Sequence, residues 1–262
     1  MNPKSDQADS LPEQPADEPR RVPLPVLKSS HVDMASLLKS NVRGELRFGM
    51  HDRMLYATDA SLYQVQPRGV VIPESIEDAA RAFNLCVQQR VPVLPRGGGT
   101  SLAGQCTNRA VVIDTSRRCR AILDIDDVQG RCTVEPGITI DELNAALTSY
   151  HKDHSGSQHW FFSPDPATSR HACIGGCIGN NAAGARSIRY GRTSEHVLAI
   201  DALLADSSRI RLEAGAGRRD KRAGMLALGV ASIVRSCEAH IRERFPKTIR
   251  RNAGYGLDMI LA

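Results

Sequence analysis

"PRGGGTSLAGQ", Pro95–Gln105, follows the apolar run "VPVL" at Val91–Leu94. Three consecutive glycines, two hydroxyl residues and a fourth glycine leave what reads as a short strand. Such a loop lets main-chain N–H groups approach another group closely, and a cluster of such donors suits an anion. Arg96 and the Thr100 and Ser101 hydroxyls flank it. A glycine-rich turn packed against a neighbouring strand is the other reading the loop by itself leaves open.

Two familiar phosphate patterns fail here. A G-x-G-x-x-G fingerprint begun at Gly97 would need its last glycine at Leu102. The P-loop pattern nearly fits from Gly99 to Gly104, but Gln105 stands at the lysine position and Cys106 at the Ser/Thr position. Without that lysine and Mg²⁺-binding hydroxyl, ATP hydrolysis is disfavoured and a diphosphate held without cleavage fits better.

Working outward, "GVVIP" (Gly69–Pro73) reads as a strand. Ser75 is a helix N-cap with Asp78 three residues on, a near capping box opening "SIEDAARAFNLCVQQR". With "VPVLP" as the next strand, Gly69–Leu94 is expected to be a β–α–β unit. Further strands are expected at Ala110–Asp114, Ala121–Asp126 and Arg131–Pro136. A second capping box, Thr139 with Glu142, opens the helix "IDELNAALTSY". "HVLAIDALLAD" and "RIRLEAG" read as an antiparallel pair turning at Asp206–Ser208, His31–Asn41 as a weakly patterned helix, and Arg218–Phe245 as a charged helical stretch. Short strands among isolated helices indicate an α+β fold.

A second glycine-rich segment, Ser163–Leu198, carries Gly175, Gly176, Gly179 and Gly184 among small residues. Two such segments can line both sides of one long ligand. Asn180 and Asn181 tolerate left-handed backbone and supply amide groups.

Four stretches stand in a telling order: "TDASLYQVQPRGVVIPESIEDAARA" (Thr58–Ala82), "PVLPRGGGTSLAGQ" (Pro92–Gln105), "VEPGITIDELNAAL" (Val134–Leu147) and "PDPATSRHACIGGCIGNNAAGARSIRYGRTSEHVL" (Pro164–Leu198). Together they resemble the FAD-binding domain of the p-cresol methylhydroxylase / vanillyl-alcohol oxidase superfamily. Within it the likeness is to FAD-linked dehydrogenases of D-2-hydroxy acids (lactate, glycolate, 2-hydroxyglutarate), over about Leu55–Leu212. The resemblance implies a two-subdomain fold, split near residues 125–135, within an FAD-binding domain at 31–262 that is incomplete at its C-terminus. It implies that Gly97, Gly98, Gly99, Thr100, Ser101 and Gly104, with Arg96 beside them, wrap the FAD diphosphate. Pro136 and Gly137 match a turn near the flavin, and Pro164, Asp165 and Thr168 a loop beside the isoalloxazine. Gly175, Gly176, Asn180, Ala182 and Gly184 match a loop beneath it, closed by Tyr190 and Gly191. Some members attach FAD through a histidine in or just after the glycine run. Thr100 and Ser101 form no such bond, so noncovalent FAD is expected.

In the family a "GSEGTLG"-like segment and a substrate domain follow, and neither is found here. The expected partners are therefore FAD and a substrate-domain or iron–sulfur half acting in trans, with no catalytic base assignable. "RFPKTIRRNAGYGLDMIL" (Arg244–Leu261) resembles a segment of large members that carry an iron–sulfur region, although no Cys-x₂-Cys-x₂-Cys run occurs. An FAD-binding module without turnover is the alternative. A related cell-wall precursor reductase using NADPH is disfavoured by "PDPAT…GG…NNAAG".

Composition narrows the classes. An aromatic share of 4% disfavours a stacking surface for single-stranded nucleic acid. Between Arg209 and Arg251 twelve Lys/Arg face four Asp/Glu. That excess is read as solvated helix faces, and no nucleic-acid partner is expected. The Pro-rich stretch 1–30 reads as a disordered tail. Seven cysteines without framework spacing, and no apolar leader or span, lead to an expected cytoplasmic location, at most peripheral to the inner face of a membrane. His171, Cys173 and Cys177 lack zinc spacing, and His151, His154 and His159 are read as solvated residues of a polar loop.

Overall fold

Two strands of continuous β-branched residues, β2 (Gly69–Ile72) and β4 (Val111–Asp114), are buried throughout, which is what near-unbroken apolar strands require. A computed structural model of the chain describes residues 33–154, 156–248 and 255–261. The expected tail at 1–30 and residues 249–254 of the Arg244–Leu261 segment lie outside the described residues.

The chain opens with α1 (Met34–Asn41), β1 (Glu45–Arg47) and α2 (Met50–Leu55), and after β2 come α3 (Ile76–Gln88) and β3 (Val93–Arg96). These form a four-stranded sheet in the order β1-β2-β4-β3, with β1 antiparallel to β2 and β2 and β3 each parallel to β4. Gly69–Leu94 is a β–α–β unit as expected, with both strands parallel in one sheet. β2 and β3 point the same way but do not pair, because β4 lies between them.

Alternation along the strands sorts the core. Val71, Val111 and Ile113 face α1 and α3, meeting Leu38, Val42, Ala82 and Cys86. Val70, Ile72 and Val112 face the other way, onto Tyr56 and Leu94. Ser75 caps α3 by accepting from the Asp78 amide. The Asp78 carboxylate is not its reciprocal cap: fully buried, it accepts from the amides of Arg43, Gly44 and Glu74 and from the Arg81 guanidinium. It thereby pins the turn before β1 to the sheet.

Beyond β4, the hairpin β5 (Ile122–Asp126) and β6 (Arg131–Val134) lies beside α4 (Ile140–Asp153) and α5 (Ile174–Asn180). The Thr139–Glu142 capping box is complete. Ile140, Leu143 and Leu147, spaced for one helix face, meet Ile174 and Cys177 of α5 in a second cluster that Ile125 and Cys132 also join. After α6 (Ser187–Tyr190) the expected antiparallel pair follows as β7 (Ala199–Leu203) and β8 (Arg209–Glu213).

The charged stretch is helical as α7 (Ala216–Arg219), α8 (Lys221–Ser236) and α9 (Glu238–Arg244), with α10 (Asp258–Leu261) packing on α8 and α9. Part of its positive charge is matched, Arg219 pairing with Glu213, Arg222 with Asp206 and Arg242 with Glu238, and on β8 Arg211 pairs with Asp201 and Glu213. No described helix is long and apolar enough to cross a membrane.

Candidate functional site

β3 delivers the chain to the glycine loop at the sheet's C-terminal end. Among the described residues, the amides of Gly97, Gly98, Gly99, Thr100, Ser101 and Leu102 donate to no protein oxygen. The Gly98 N–H faces only the Cys173 sulfur. Six consecutive N–H groups without a protein oxygen acceptor, one of them resting on a sulfur, form the kind of concavity that takes a polyanion. Glycine is required for two reasons here. A Cβ on Gly97 would come within 2.9 Å of Cys173 Cβ, and one on Gly98 would overlap the His171 carbonyl oxygen. Gly99 has φ +67° and Gly104 φ +79°, the left-handed region that side chains disfavour.

Two side chains assigned to the anion by sequence are engaged elsewhere. The Arg96 guanidinium turns beneath the loop, donating to the carbonyls of Thr58 (2.9 Å), Cys106 (3.0 Å) and Tyr56 (3.5 Å) while lying over the Tyr56 ring. The buried Ser101 hydroxyl donates to Asp59 at 2.7 Å. A hydroxyl has one proton, so Ser101 meets an anion through its amide only. Among the described residues, none hydrogen-bonds the Thr100 hydroxyl. Tyr56 donates to buried Asp114 at 2.7 Å, and desolvation first, then that carboxylate, push its phenol up to about 12.

The second glycine segment lies directly against the first, because Gly97 and Gly98 contact the His171–Cys173 turn that starts α5. The stretch expected as a loop beneath a flavin is partly this helix. "IGGCIGN" is a poor helix former, yet its first amides are captured by tertiary acceptors: Ile174 N–H by Ile138 O and Gly175 N–H by Pro136 O, both at 2.9 Å. Gly137 donates to Cys119 O and packs on Thr115. Gly184 packs on Asp165, whose carboxylate accepts from the Arg186 amide at 2.7 Å. Pro164 is fully buried, and the Thr168 carbonyl accepts from His171 and Ala172 in the turn before α5. Gly176 and Gly179, three residues apart on α5, have nothing within 4 Å of where a Cβ would lie. They leave a bare strip of helix. Asn180 ends α5, and Asn181, at φ 45°, is the residue that takes the left-handed turn. The Ala182 carbonyl accepts both the amide and the hydroxyl of buried Thr193.

The Tyr190 ring packs edge-on to Phe161. Its carbonyl accepts from His196 Nε2 at 2.7 Å, so that nitrogen carries the proton, and Ser163 Oγ at 2.9 Å shares it as an acceptor. Glycine loop, Pro136–Gly137 turn, Pro164–Thr168 loop and α5 thus converge; Arg96 and the Ser101 hydroxyl face away, into the supports of the loop. Asp59, Ser163 and His196 were missed by sequence reasoning. Asp59 stood in view within "TDAS", but nothing local says which backbone it holds.

His151 lies on α4 and His154 is its C-cap, so these two are not in a polar loop, and they bond Ser157 and the Tyr150 carbonyl. Burial raises the thiols of Cys86 to about 11 and of Cys119 and Cys177 to about 12, and also raises Cys173 and Cys132. Protonated thiols are poor nucleophiles and ligands. No group of three potential metal ligands occurs among the described residues. A concavity of about 410 Å³ lies between Ile178, Thr193, Leu198 and Leu212, and contains no residue of the glycine loop.

Comparison with known proteins agrees with this geometry. Residues 67–213 match the family described as "FAD binding domain". The chain is 32% identical over 234 residues to D-2-hydroxyglutarate dehydrogenase of Escherichia coli K12, covering 86% of this chain and 22% of that protein. It is 33% identical over 162 residues to a glycolate oxidase subunit of Bacillus subtilis, covering 61% of this chain and 33% of that one. It therefore spans a fifth to a third of the length of these relatives. Among solved structures, alkyldihydroxyacetonephosphate synthase superposes with a TM-score of 0.61 at 21% identity, over 71% of this chain and 37% of that one. A 6-hydroxy-D-nicotine oxidase from Arthrobacter nicotinovorans gives 0.53 at 18% identity, over 66% and 36%. These two likenesses concern the fold. The nest of amides, the mixed sheets around it and the family match over residues 67–213 agree: the chain belongs to the FAD-binding domain family of the p-cresol methylhydroxylase type.

Proposed function

We propose that this chain is the cofactor-holding part of a flavin-dependent oxidoreductase acting on a D-2-hydroxy acid, and that it holds FAD noncovalently. The observation that carries the reading is the run of amides from Gly97 to Leu102 that, among the described residues, find no protein oxygen, set against the turn that opens α5. Those amides would bind the diphosphate by main-chain donors, with the Thr100 hydroxyl free to add one more. The bare strip at Gly176 and Gly179 would let a flat ring lie against α5. The residues fit FAD on both counts. When bound, FAD supplies a hydride acceptor at its flavin N5 for the substrate C2 hydrogen. The chain's own contribution is to bind and orient the cofactor. We assign no base to this chain. Since it spans 22% of the dehydrogenase it resembles, the groups that bind the substrate carboxylate and take the hydroxyl proton are proposed to lie in the remainder of such a protein. The alternative reading is an FAD-binding module without turnover of its own.

Purified chain stripped of ligand should take up one equivalent of FAD, and trichloroacetic acid should then release the yellow colour to the supernatant. Colour left in the pellet would contradict noncovalent binding. Anaerobic bleaching of the bound flavin by D-2-hydroxyglutarate or D-lactate separates the two readings: bleaching by the chain alone rules out the module.

A further inference from the structure

We propose that Asp59 is a positioning residue for the glycine loop, its carboxylate tying the two limbs of the loop together so that the amides of Gly97–Leu102 converge on one point. The inference rests on the diphosphate reading above. Asp59 lies in Tyr56–Ser61, an irregular stretch between α2 and β2. One carboxylate oxygen accepts from the Ser61 amide at 2.9 Å and fixes its own turn. The other reaches across the fold, accepting from the Ser101 hydroxyl at 2.7 Å on the outgoing limb and from the Cys106 amide at 3.2 Å on the returning one. The Ala60 amide adds a bond to the Gly99 carbonyl at 3.1 Å. Arg96 closes the arrangement from below, holding the carbonyls of Thr58 and Cys106.

A carboxylate behind an anion-binding loop does not help electrostatically. Its benefit is geometric: an ionised carboxylate accepts only, so three donors from two limbs and one turn are oriented at once. Desolvation works against the charged form, but the bonds from Ser61, Ser101 and the Cys106 amide outweigh it and keep the carboxyl below its ordinary 3.8. It also follows that the Ser101 hydroxyl acts through Asp59, and only its amide faces the ligand.

The test uses the full chain with Asp59→Asn, Ser101→Ala and the double variant. FAD affinity is read by flavin fluorescence, ADP and AMP affinities by competition, and ligand-free stability by thermal melting. Asp59→Asn should weaken FAD and ADP about tenfold or more, the scale of one charged hydrogen bond, and AMP less than about twofold. Ser101→Ala should do the same, and the double variant should lose no more than either single change. Full additivity, equal weakening of AMP and ADP, or unaltered FAD binding by Asp59→Asn would each overturn the proposal. If Asp59→Asn fails to fold, Ser101→Ala decides alone: unchanged ADP binding overturns the proposal, and an ADP-specific loss supports it. An unsubstituted chain that bound neither FAD nor ADP would instead remove the diphosphate reading, and this proposal with it.

Discussion

Alanine at Gly98 should abolish cofactor uptake. The added methyl would overlap the His171 carbonyl oxygen, a backbone atom that cannot rotate aside. Either the glycine loop or the turn before α5 must move, and the two glycine segments then separate. Overpacking of this kind costs about 1–3 kcal/mol of stability. Because the displaced atoms are the proposed binding groups, FAD affinity should fall by about 100-fold or more, beyond what the stability loss alone implies. Gly176→Ala is the counterpart. Its methyl enters open space on a helix, so the ligand-free chain should gain about 0.5–1 kcal/mol from better helix propensity. If a ring lies on that strip, the same methyl should weaken FAD. Equilibrium unfolding and FAD titration of both variants check this. Gly98→Ala binding FAD like the unsubstituted chain would contradict the account of the loop.

Asp78→Ala should give the largest loss of stability of any single polar truncation around the four-stranded sheet. The carboxylate is fully buried and accepts at 2.9 Å from Arg43, 2.8 Å from Gly44 and 3.1 Å from Glu74, all backbone amides, and at 2.7 Å from Arg81. Removing it leaves three amides without their acceptor, while the half-exposed Arg81 guanidinium turns to water. An orphaned amide costs about 1–3 kcal/mol, and three partly buried ones at the lower half of that range sum to about 3–6 kcal/mol, a large part of a domain's usual 5–15. Desolvation opposes ionisation here, yet the bonds from Arg43, Glu74, Arg81 and Gly44 prevail and hold the carboxyl below 3.8. A depressed folded-state pKa means stability that is complete above 3.8 and is lost as the pH falls through the folded value. Asp78→Ala should accordingly flatten the acid limb of stability against pH. Urea unfolding from pH 7 downward measures both effects, and a change under about 1 kcal/mol at pH 7 would contradict the assigned role.

Much of this architecture is written locally. Ser75 and Thr139 announce their helices because cap chemistry depends on three or four consecutive residues. Val70–Ile72 and Val111–Ile113 announce strands because buried strands need unbroken apolar runs. What escaped a local reading is tertiary. The insertion of β4 between β2 and β3 is a matter of which strands find each other in space. α5 looked like a loop because Gly175, Gly176 and Gly179 depress helix propensity, and only the acceptors at Pro136 and Ile138 make it a helix. The site was legible to the same degree. Gly98 and Gly184 are demanded by close backbone approach, Gly97 by the Cys173 side chain and Gly99 by its positive φ, and each leaves a mark on the sequence. Where Arg96 and Ser101 direct their protons does not, since a guanidinium and a hydroxyl serve a ligand or a carbonyl equally well.

The central claim is that main-chain amides, not charged side chains, grip the cofactor's diphosphate. The most direct measurement is the amide ¹H–¹⁵N spectrum of the ¹⁵N-labelled chain, recorded as FAD is added to one equivalent. The account predicts that the resonances of Gly97 through Leu102 shift together, and that ADP reproduces most of the change. Saturation with FAD that left those amides unmoved, while shifting signals elsewhere, would contradict it.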